Sequence, residues 1–201
     1  MNFLYGIFEK ILIVFHGMTG SYGIAIILLT IFIKIVLLPL TLKQDKSMKE
    51  MKKLQPKIEE IKKMYSGDPQ TMNQKTMELY KEHKVNPAGG CLPILIQLPI
   101  LWALFGVLRK EGVIPDESFL WFTLAAPDKF YILPVLNGVV SFVQQKVMGT
   151  SDNPQMKNMM YMFPIMMIFI SYKLPGGLQL YWLVSSLTAV IQQYFIMKKG
   201  E

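Results

Sequence analysis

The apolar positions of the chain come in long blocks, whereas a soluble domain of this size interleaves polar and apolar residues. A helix rises 1.5 Å per residue, so blocks of about 18 to 20 residues match the roughly 30 Å hydrocarbon core of a bilayer. The pattern predicts an all-α integral membrane protein in a single domain. Its five predicted transmembrane helices cover residues 23–42, 91–108, 131–148, 158–174 and 178–197.

The first stretch, residues 2–16, has apolar side chains at helical spacing but is interrupted by Glu9 and Lys10. It is too short and too interrupted to span a bilayer comfortably. We predict a peripheral amphipathic helix at the membrane interface, with a spanning segment as the alternative.

Residues 43–84 predict a helical hairpin outside the hydrocarbon core. Apolar side chains recur every three or four positions from Met48 to Tyr65, with charged residues around them. In the turn that follows, Asp68 is suited to cap the next helix and Pro69 to occupy its first position. We predict that the apolar stripes of the two arms pack against each other; a partner-binding face is the alternative.

The placement of basic residues predicts the orientation of the chain. The formal net charge is +7, and residues 43–84 hold eleven lysines against seven acidic residues. Because this basic run lies directly against a span, we expect no nucleic-acid binding. With the hairpin, the link near residue 149 and the C-terminus inside, fifteen basic residues are inside and five outside. The positive-inside rule then predicts an external N-terminus and a cytoplasmic C-terminus.

The predicted spans lack the residues that common catalytic mechanisms need. They contain no Asp, Glu or His, and Cys91 is the only cysteine of the chain. A proton or sodium relay, a serine–histidine pair and a zinc site are therefore unsupported. No glycine-rich phosphate loop followed by Lys-Ser or Lys-Thr occurs. We predict a protein that is not an enzyme and uses no cofactor.

Lys34 is the candidate functional residue of the first span. It lies eight residues before Leu42, roughly 12 Å along the helix from the predicted cytoplasmic end. A cation at such a depth costs about 2.5 to 3.5 kcal/mol on insertion scales, and no span offers an acidic partner. A water-filled recess lined by neutral polar groups would lower this cost. The candidate lining residues are Thr30, Gln97, Asn137, Ser141, Gln144, Gln179, Trp182, Ser185 and Ser186.

For the serines and the threonine of that set, hydrogen bonding between helices is the favoured role and lining of the recess is the alternative.

Seven short motifs follow one another in an order that fits this topology. They are Gly20-Ser21-Tyr22-Gly23, Leu38-Pro39-Leu40-Thr41, Asn86-Pro87, Cys91-Leu92-Pro93 with Gln97-Leu98-Pro99, Tyr131-Ile132-Leu133-Pro134, Pro175-Gly176-Gly177-Leu178 and Ile191-Gln192-Gln193. Each motif is weak alone, but the ordered series is highly specific. On these residues the chain resembles the YidC/Oxa1/Alb3 membrane protein insertases over nearly its whole length, in a short bacterial form without a large external domain.

The resemblance implies five core helices around a hydrophilic groove that is open to the cytoplasm and the lipid but closed outside. The position of Lys34 is commonly arginine in this family; lysine keeps the charge but loses the bidentate fork. The same resemblance places Thr30, Gln97, Tyr181 and Trp182 along or beside the groove.

The implied function is to insert client membrane proteins into the bacterial plasma membrane and to help them fold. The implied partners are the lipid bilayer and clients with acidic or hydrophilic external segments. The Sec translocon, the ribosome and the signal recognition machinery are further candidate partners. Two other classes stay open: a small-solute transporter or channel would need a continuous pore, and a non-inserting assembly factor would tolerate loss of the charge at Lys34.

Overall fold

The computed structural model of the chain describes residues 2–85, 92–109, 117–147 and 154–198. These residues form eight helices and one pair of short strands. In chain order the elements are α1 (Asn2–Thr19), α2 (Tyr22–Lys53), α3 (Gln55–Met64), α4 (Pro69–Glu82), α5 (Leu92–Arg109), β1 (Ser118–Phe119), β2 (Phe122–Thr123), α6 (Ile132–Val147), α7 (Pro154–Ser171) and α8 (Gly176–Lys198). They divide into two compact units, a first unit of Met1–Val36 with Leu98–Glu201 and a second unit of Leu37–Gln97.

In the first unit, α6 packs against both α7 and α8. Gly138 lets α6 approach α7 closely, because a Cβ at this position would lie 2.5 Å from Cγ1 of Ile168. Small residues at helix contacts have this role in membrane proteins, where close packing rather than the hydrophobic effect holds helices together. The same helix buries Leu133 and the amide of Asn137, so its packed face is partly polar.

The rest of the first unit is packed through apolar side chains of α1, α2 and α5. Gly106 of α5 faces the ring of Tyr5 of α1, which lies 3.0 Å from the place of a Cβ. The most deeply buried apolar side chains in these helices are Leu12, Ala25, Ile26, Leu29, Leu104 and Val107. The strands β1 and β2 pair in an antiparallel register, with Ser118 opposite Thr123 and Phe119 opposite Phe122. The sequence analysis does not predict this strand pair.

Three side chains in the second unit form a small apolar core between α3 and α4. Leu54, Ile58 and Leu79 are buried together. Ile61, Tyr80 and Val85 are partly buried against them. Burial also raises the pKa of the Tyr80 phenol above its usual value. The prediction that the apolar stripes of the two arms pack against each other is therefore confirmed for α3 and α4.

The helix that contains the first predicted span continues into the segment predicted as the hairpin. The apolar stripe from Met48 to Tyr65 was predicted as one arm of the hairpin, but α2 includes Pro39 and continues to Lys53, and α3 begins at Gln55. A change from apolar to charged side chains marks the edge of a hydrocarbon core and does not by itself end a helix. The break comes at Leu54, ahead of Pro56 in the first turn of α3. A proline at that position has no N–H to continue the preceding hydrogen-bond ladder.

The predicted N-cap of α4 is confirmed. The Asp68 carboxylate accepts hydrogen bonds from the backbone N–H groups of Gln70 and Thr71, each at 3.1 Å, and Pro69 occupies the first turn. A hydrogen bond from the Thr71 hydroxyl holds the pKa of the Asp68 carboxyl below its usual value, and the bond from the Thr71 backbone N–H adds a smaller effect in the same direction. The charged carboxylate therefore favours the start of the helix.

This cap predicts a pH dependence in the first turn of α4. The pKa of Asp68 is lower in the folded protein than in the unfolded chain, where it is about 4. The charged carboxylate therefore stabilises the helix start at pH values above about 4, and this stabilisation is lost as the pH falls through the folded-state pKa. The backbone amide resonances of Gln70 and Thr71 should report this loss by NMR at acidic pH. Asp68→Asn keeps the acceptor but has no charge to titrate, so its resonances should not follow the same titration. Identical acid titrations in both proteins would contradict the role of the charge.

By length and composition, α2 is the one helix in the described part of the chain that could cross a membrane. Leu95–Arg109 and Met160–Ser171 are apolar but shorter. The motif Asn86-Pro87, the residue Cys91, the link at residues 149–153 and the last three residues lie outside the described residues. The helices α5, α6 and α8 begin and end within two residues of the predicted segments. The helix α1 ends three residues later than predicted, and α7 begins four residues and ends three residues earlier.

Candidate functional site

The central part of α2 carries one cation among apolar side chains. Lys34 is half-buried, whereas the neighbouring Phe32, Ile35 and Val36 are exposed. Among the residues that the structure describes, no acceptor or acidic group pairs with the Lys34 ammonium. Thr30 lies one turn earlier on the same face and is fully buried; its hydroxyl donates to the Ile26 carbonyl at 2.7 Å. That hydroxyl therefore already has a partner within its own helix.

A stripe of polar side chains runs along α6. Asn137 and Ser141 are buried, Gln144 and Gln145 are half-buried, and the spacing of three or four residues places them on one side of the helix. Three buried polar atoms of this stripe have no hydrogen-bond partner in the described structure: Asn137 Oδ1, Ser141 Oγ and Gln145 Nε2. Such atoms are rare in native proteins and typically mark sites that meet water or a polar ligand.

The start of α8 continues this polar surface. The Asn137 side-chain N–H donates to the Gln179 carbonyl at 3.2 Å, which joins α6 to α8. The Gln179 amide donates to the Leu174 carbonyl at 2.8 Å, but its own Oε1 is buried and meets no hydrogen-bond donor among the described residues. Further along α8, Ser185 is buried and Tyr181 is buried at 1 % exposure, whereas Trp182 is half-buried.

Some of the predicted lining residues are therefore in contact or on one helix face, whereas the position of others in a groove stays a prediction. Asn137 and Gln179 meet directly, and Thr30 and Lys34 share a face of α2. Gln97 is the last residue of the second unit, so its place beside Lys34 stays a prediction. Gln145 is a member that the sequence analysis missed, although its position four residues after Ser141 is a periodic signal that would have found it.

The side chains of this arrangement can form hydrogen bonds to a charged group. Within the described ranges, no three His, Cys, Asp or Glu side chains come together as metal ligands would. What the polar residues provide is a set of amide and hydroxyl groups in a bundle whose outer helical faces are apolar. Exposed apolar residues on these faces include Trp102, Val139, Ile165, Phe169 and Ile191. Apolar residues on outer helical faces with amide groups between the helices are typical of helical membrane proteins.

Comparison with known proteins identifies the family. Residues 14–201 match the family model described as 60Kd inner membrane protein. The chain is 70 % identical to the membrane protein insertase YidC of Fusobacterium nucleatum subsp. nucleatum, over the full length of both. It is 46 % identical to that of Geobacter sulfurreducens over 90 % of this chain, but spans 35 % of that protein. The chain belongs to the YidC/Oxa1 family of membrane protein insertases, which are not enzymes.

Two further matches agree with this assignment. The membrane protein insertase YidC 1 of Halalkalibacterium halodurans is 43 % identical over 90 % of this chain and 72 % of its own length. The solved structure described as an active YidC insertase with the first transmembrane domain resolved has a TM-score of 0.79 and 32 % identity. It covers 96 % of this chain, which spans 46 % of that one. The resemblance read from the seven motifs is therefore confirmed.

Proposed function

We propose that this chain inserts client membrane proteins by holding a hydrophilic client segment in a polar groove within the bilayer. The observation that carries the proposal is Lys34, a half-buried cation without a partner in the described structure, on an apolar helix. A cation in the hydrocarbon region is costly unless water or a charged partner reaches it. An anionic segment of a passing client would supply such a partner, and a hydrated groove would keep the cation tolerable between clients.

The lining that we propose consists of the side chains predicted from the sequence, with two additions from the structure. Asn137, Ser141 and Gln179 support this proposal because each has a buried polar atom that no described group satisfies. The full proposed set is Lys34, Thr30, Gln97, Asn137, Ser141, Gln144, Tyr181, Trp182 and Ser185, together with Gln145 and Gln179.

The topology that we propose has five spans, formed by the first part of α2 and by α5, α6, α7 and α8. The N-terminus and the amphipathic α1 are placed outside, and the hairpin of α3 and α4 and the C-terminus are placed in the cytoplasm. The bias of basic residues toward the hairpin supports this orientation. The Sec translocon, the ribosome and the signal recognition machinery remain candidate partners at the cytoplasmic side.

The proposed mechanism divides the free energy of insertion into two parts. A polar groove shortens the apolar path that a hydrophilic segment must cross, and the Lys34 charge attracts acidic segments into it. Burial of the client's own apolar helix in lipid then contributes about 25 cal/mol for each Å² removed from water. No chemical energy source is needed, because the client helix itself drives release from the groove.

The test uses proteoliposomes that contain this protein alone. Two single-spanning clients should be compared: one with an acidic external tail and one in which asparagine and glutamine replace those acids. Protease protection of the tail measures insertion. We expect efficient insertion of the acidic client, weaker insertion of the neutral one, and little of either in protein-free vesicles.

Other outcomes would replace the proposal. Failure to insert either client, with the protein shown to be folded, would indicate a partner-dependent assembly factor. Flux of small ions or solutes through the same vesicles would indicate a channel or transporter.

A further inference from the structure

A segment between α5 and α6 contacts the first turns of three different helices. We call residues 117–128 the clamp segment. It contains β1 and β2 and closes on itself through a hydrogen bond from the Leu124 N–H to the Glu117 carbonyl at 3.0 Å. The first N–H groups of a helix have no partner within the helix and must find one elsewhere. In this protein the clamp segment supplies partners to α2, α6 and α8.

The clamp segment contacts α2 through the Glu117 carboxylate and through a glycine of α2 that has no side chain in the way. Glu117 Oε1 accepts hydrogen bonds from the Ser21 hydroxyl at 2.8 Å and from the Tyr22 N–H at 3.0 Å. Two residues after Glu117, the Phe119 ring lies against Gly23 of α2, where a Cβ would be 2.2 Å from Cδ2 of that ring. The clamp segment therefore packs against the motif Gly20-Ser21-Tyr22-Gly23. This contact was not predicted, because the two segments are far apart in the sequence.

The attachment to α8 uses a second glycine motif. The Gly176 N–H donates to the Ala126 carbonyl at 2.8 Å, and the Gly177 N–H donates to the Leu124 carbonyl at 2.9 Å. A Cβ on Gly176 would lie 2.5 Å from the Thr123 carbonyl oxygen, so only glycine fits against this backbone. Both glycine motifs therefore hold the same segment.

The attachment to α6 uses the last residue of the clamp segment. Asp128 is 2 % exposed, and its carboxylate accepts from the Leu133 N–H at 2.8 Å and from the Phe130 N–H at 3.0 Å. The Trp121 indole N–H also points to it, at 3.4 Å. These bonds satisfy a buried carboxylate, which would otherwise be expensive in an apolar bundle.

We propose that the clamp segment locks the N-terminal ends of α2, α6 and α8 together as one unit, and that Glu117 is the residue that positions α2 within it. Since α2 carries Lys34, the carboxylate would set where the groove cation stands relative to the polar stripe of α6. The clamp follows from the contacts of the first unit alone; only the link to Lys34 rests on the proposed function. In the proposed topology the locked end faces outward.

The first experiment measures water access behind the clamp. In a Cys91→Ser background, Ala25→Cys introduces a thiol at a site that is 0 % exposed and one turn inside α2. The protein is placed in lipid nanodiscs, where both faces are accessible, and reacted with a water-soluble maleimide. Hydrogen bonds to a charged group stabilise the closed, unlabelled state by about 1.5 to 3 kcal/mol. Loss of these bonds in Glu117→Ala should therefore raise the rate of maleimide labelling about ten- to a hundredfold.

Three further variants keep the interpretation specific. Glu117→Gln retains an acceptor for Ser21 and Tyr22 and should restore slow labelling to a large extent. Ser118→Ala changes an exposed neighbour in the same segment and should leave labelling unchanged. If Glu117→Ala does not fold, Ser21→Ala removes only one of the bonds and should raise the rate by a smaller factor.

The second experiment asks whether the three attachments act as one unit. Hydrogen–deuterium exchange of the peptide containing Gly176 and Gly177 should accelerate in Glu117→Ala, although Glu117 bonds to α2. Unchanged thiol labelling would overturn the positioning role of Glu117. Faster labelling without a change at α8 would overturn the clamp and leave a local helix cap. Neither measurement requires insertion activity, so each can fail or succeed independently of the proposed function.

Discussion

The substitution Lys34→Glu is expected to abolish insertion of a single-spanning client with an acidic external tail. Two unit charges about 4 Å apart interact by about 4 kcal/mol at an effective dielectric constant of 20. Reversing the sign of the Lys34 charge would therefore turn attraction into repulsion, and would change the rate by roughly a thousandfold or more. Insertion into proteoliposomes measured by protease protection would give this value directly.

A series at the same position separates charge from shape. Lys34→Arg keeps the charge and should retain insertion, whereas Lys34→Ala should insert the acidic client poorly. Lys10→Glu makes the same reversal at an exposed lysine of α1 in the same unit, and should have little effect. Equal insertion by Lys34→Glu and the wild type would disprove the groove charge while leaving the insertase family assignment intact.

Gly138→Val is expected to destabilise the packing of α6 against α7 in the first unit. A Cβ at this position lies 2.5 Å from Cγ1 of Ile168 and 3.3 Å from the Pro164 carbonyl oxygen. The flexible Ile168 side chain can move, but the backbone of α7 cannot, and a branched residue adds two methyl groups. Overpacking of a well-packed core costs about 1 to 3 kcal/mol.

The measurement is thermal or denaturant unfolding in detergent, with a matched glycine as control. Gly17→Val makes the same substitution in α1, where no atom lies within 4 Å of the added Cβ. That variant should unfold like the wild type. If the two variants lose equal stability, the effect is helix propensity or detergent binding rather than the contact between α6 and α7.

Features encoded in neighbouring residues could be predicted from the sequence. Apolar blocks predicted the apolar helices, and the run from Ser66 to Pro69 predicted the cap and start of α4, because both are local rules. The continuity of α2 from the predicted span to Lys53 was not predicted, since side-chain polarity reports the surroundings of a helix and not where its backbone breaks. Proline at position 56 was the better signal.

Features that depend on distant residues could not be predicted in the same way. Ser21 and Glu117 are separated by 96 residues, and neither carries a periodic signal that links them. The strand pair near them is only two residues long on each side, which is shorter than any alternation pattern that could reveal it. In the candidate site, Asn137 and Gln179 were visible as polar residues in apolar segments, but their contact through the Gln179 carbonyl depends on how α6 packs against α8.

The convergence of three helix starts on one short segment also has an electrostatic consequence. Each helix N-terminus carries about half a positive charge from its aligned peptide dipoles. The starts of α2, α6 and α8 together contribute about one and a half positive elementary charges. The carboxylates of Glu117 and Asp128 bring two negative charges to the same place. The two carboxylates therefore largely offset the three helix dipoles at this place. Such an offset lowers the cost of burying the Asp128 carboxylate among apolar side chains.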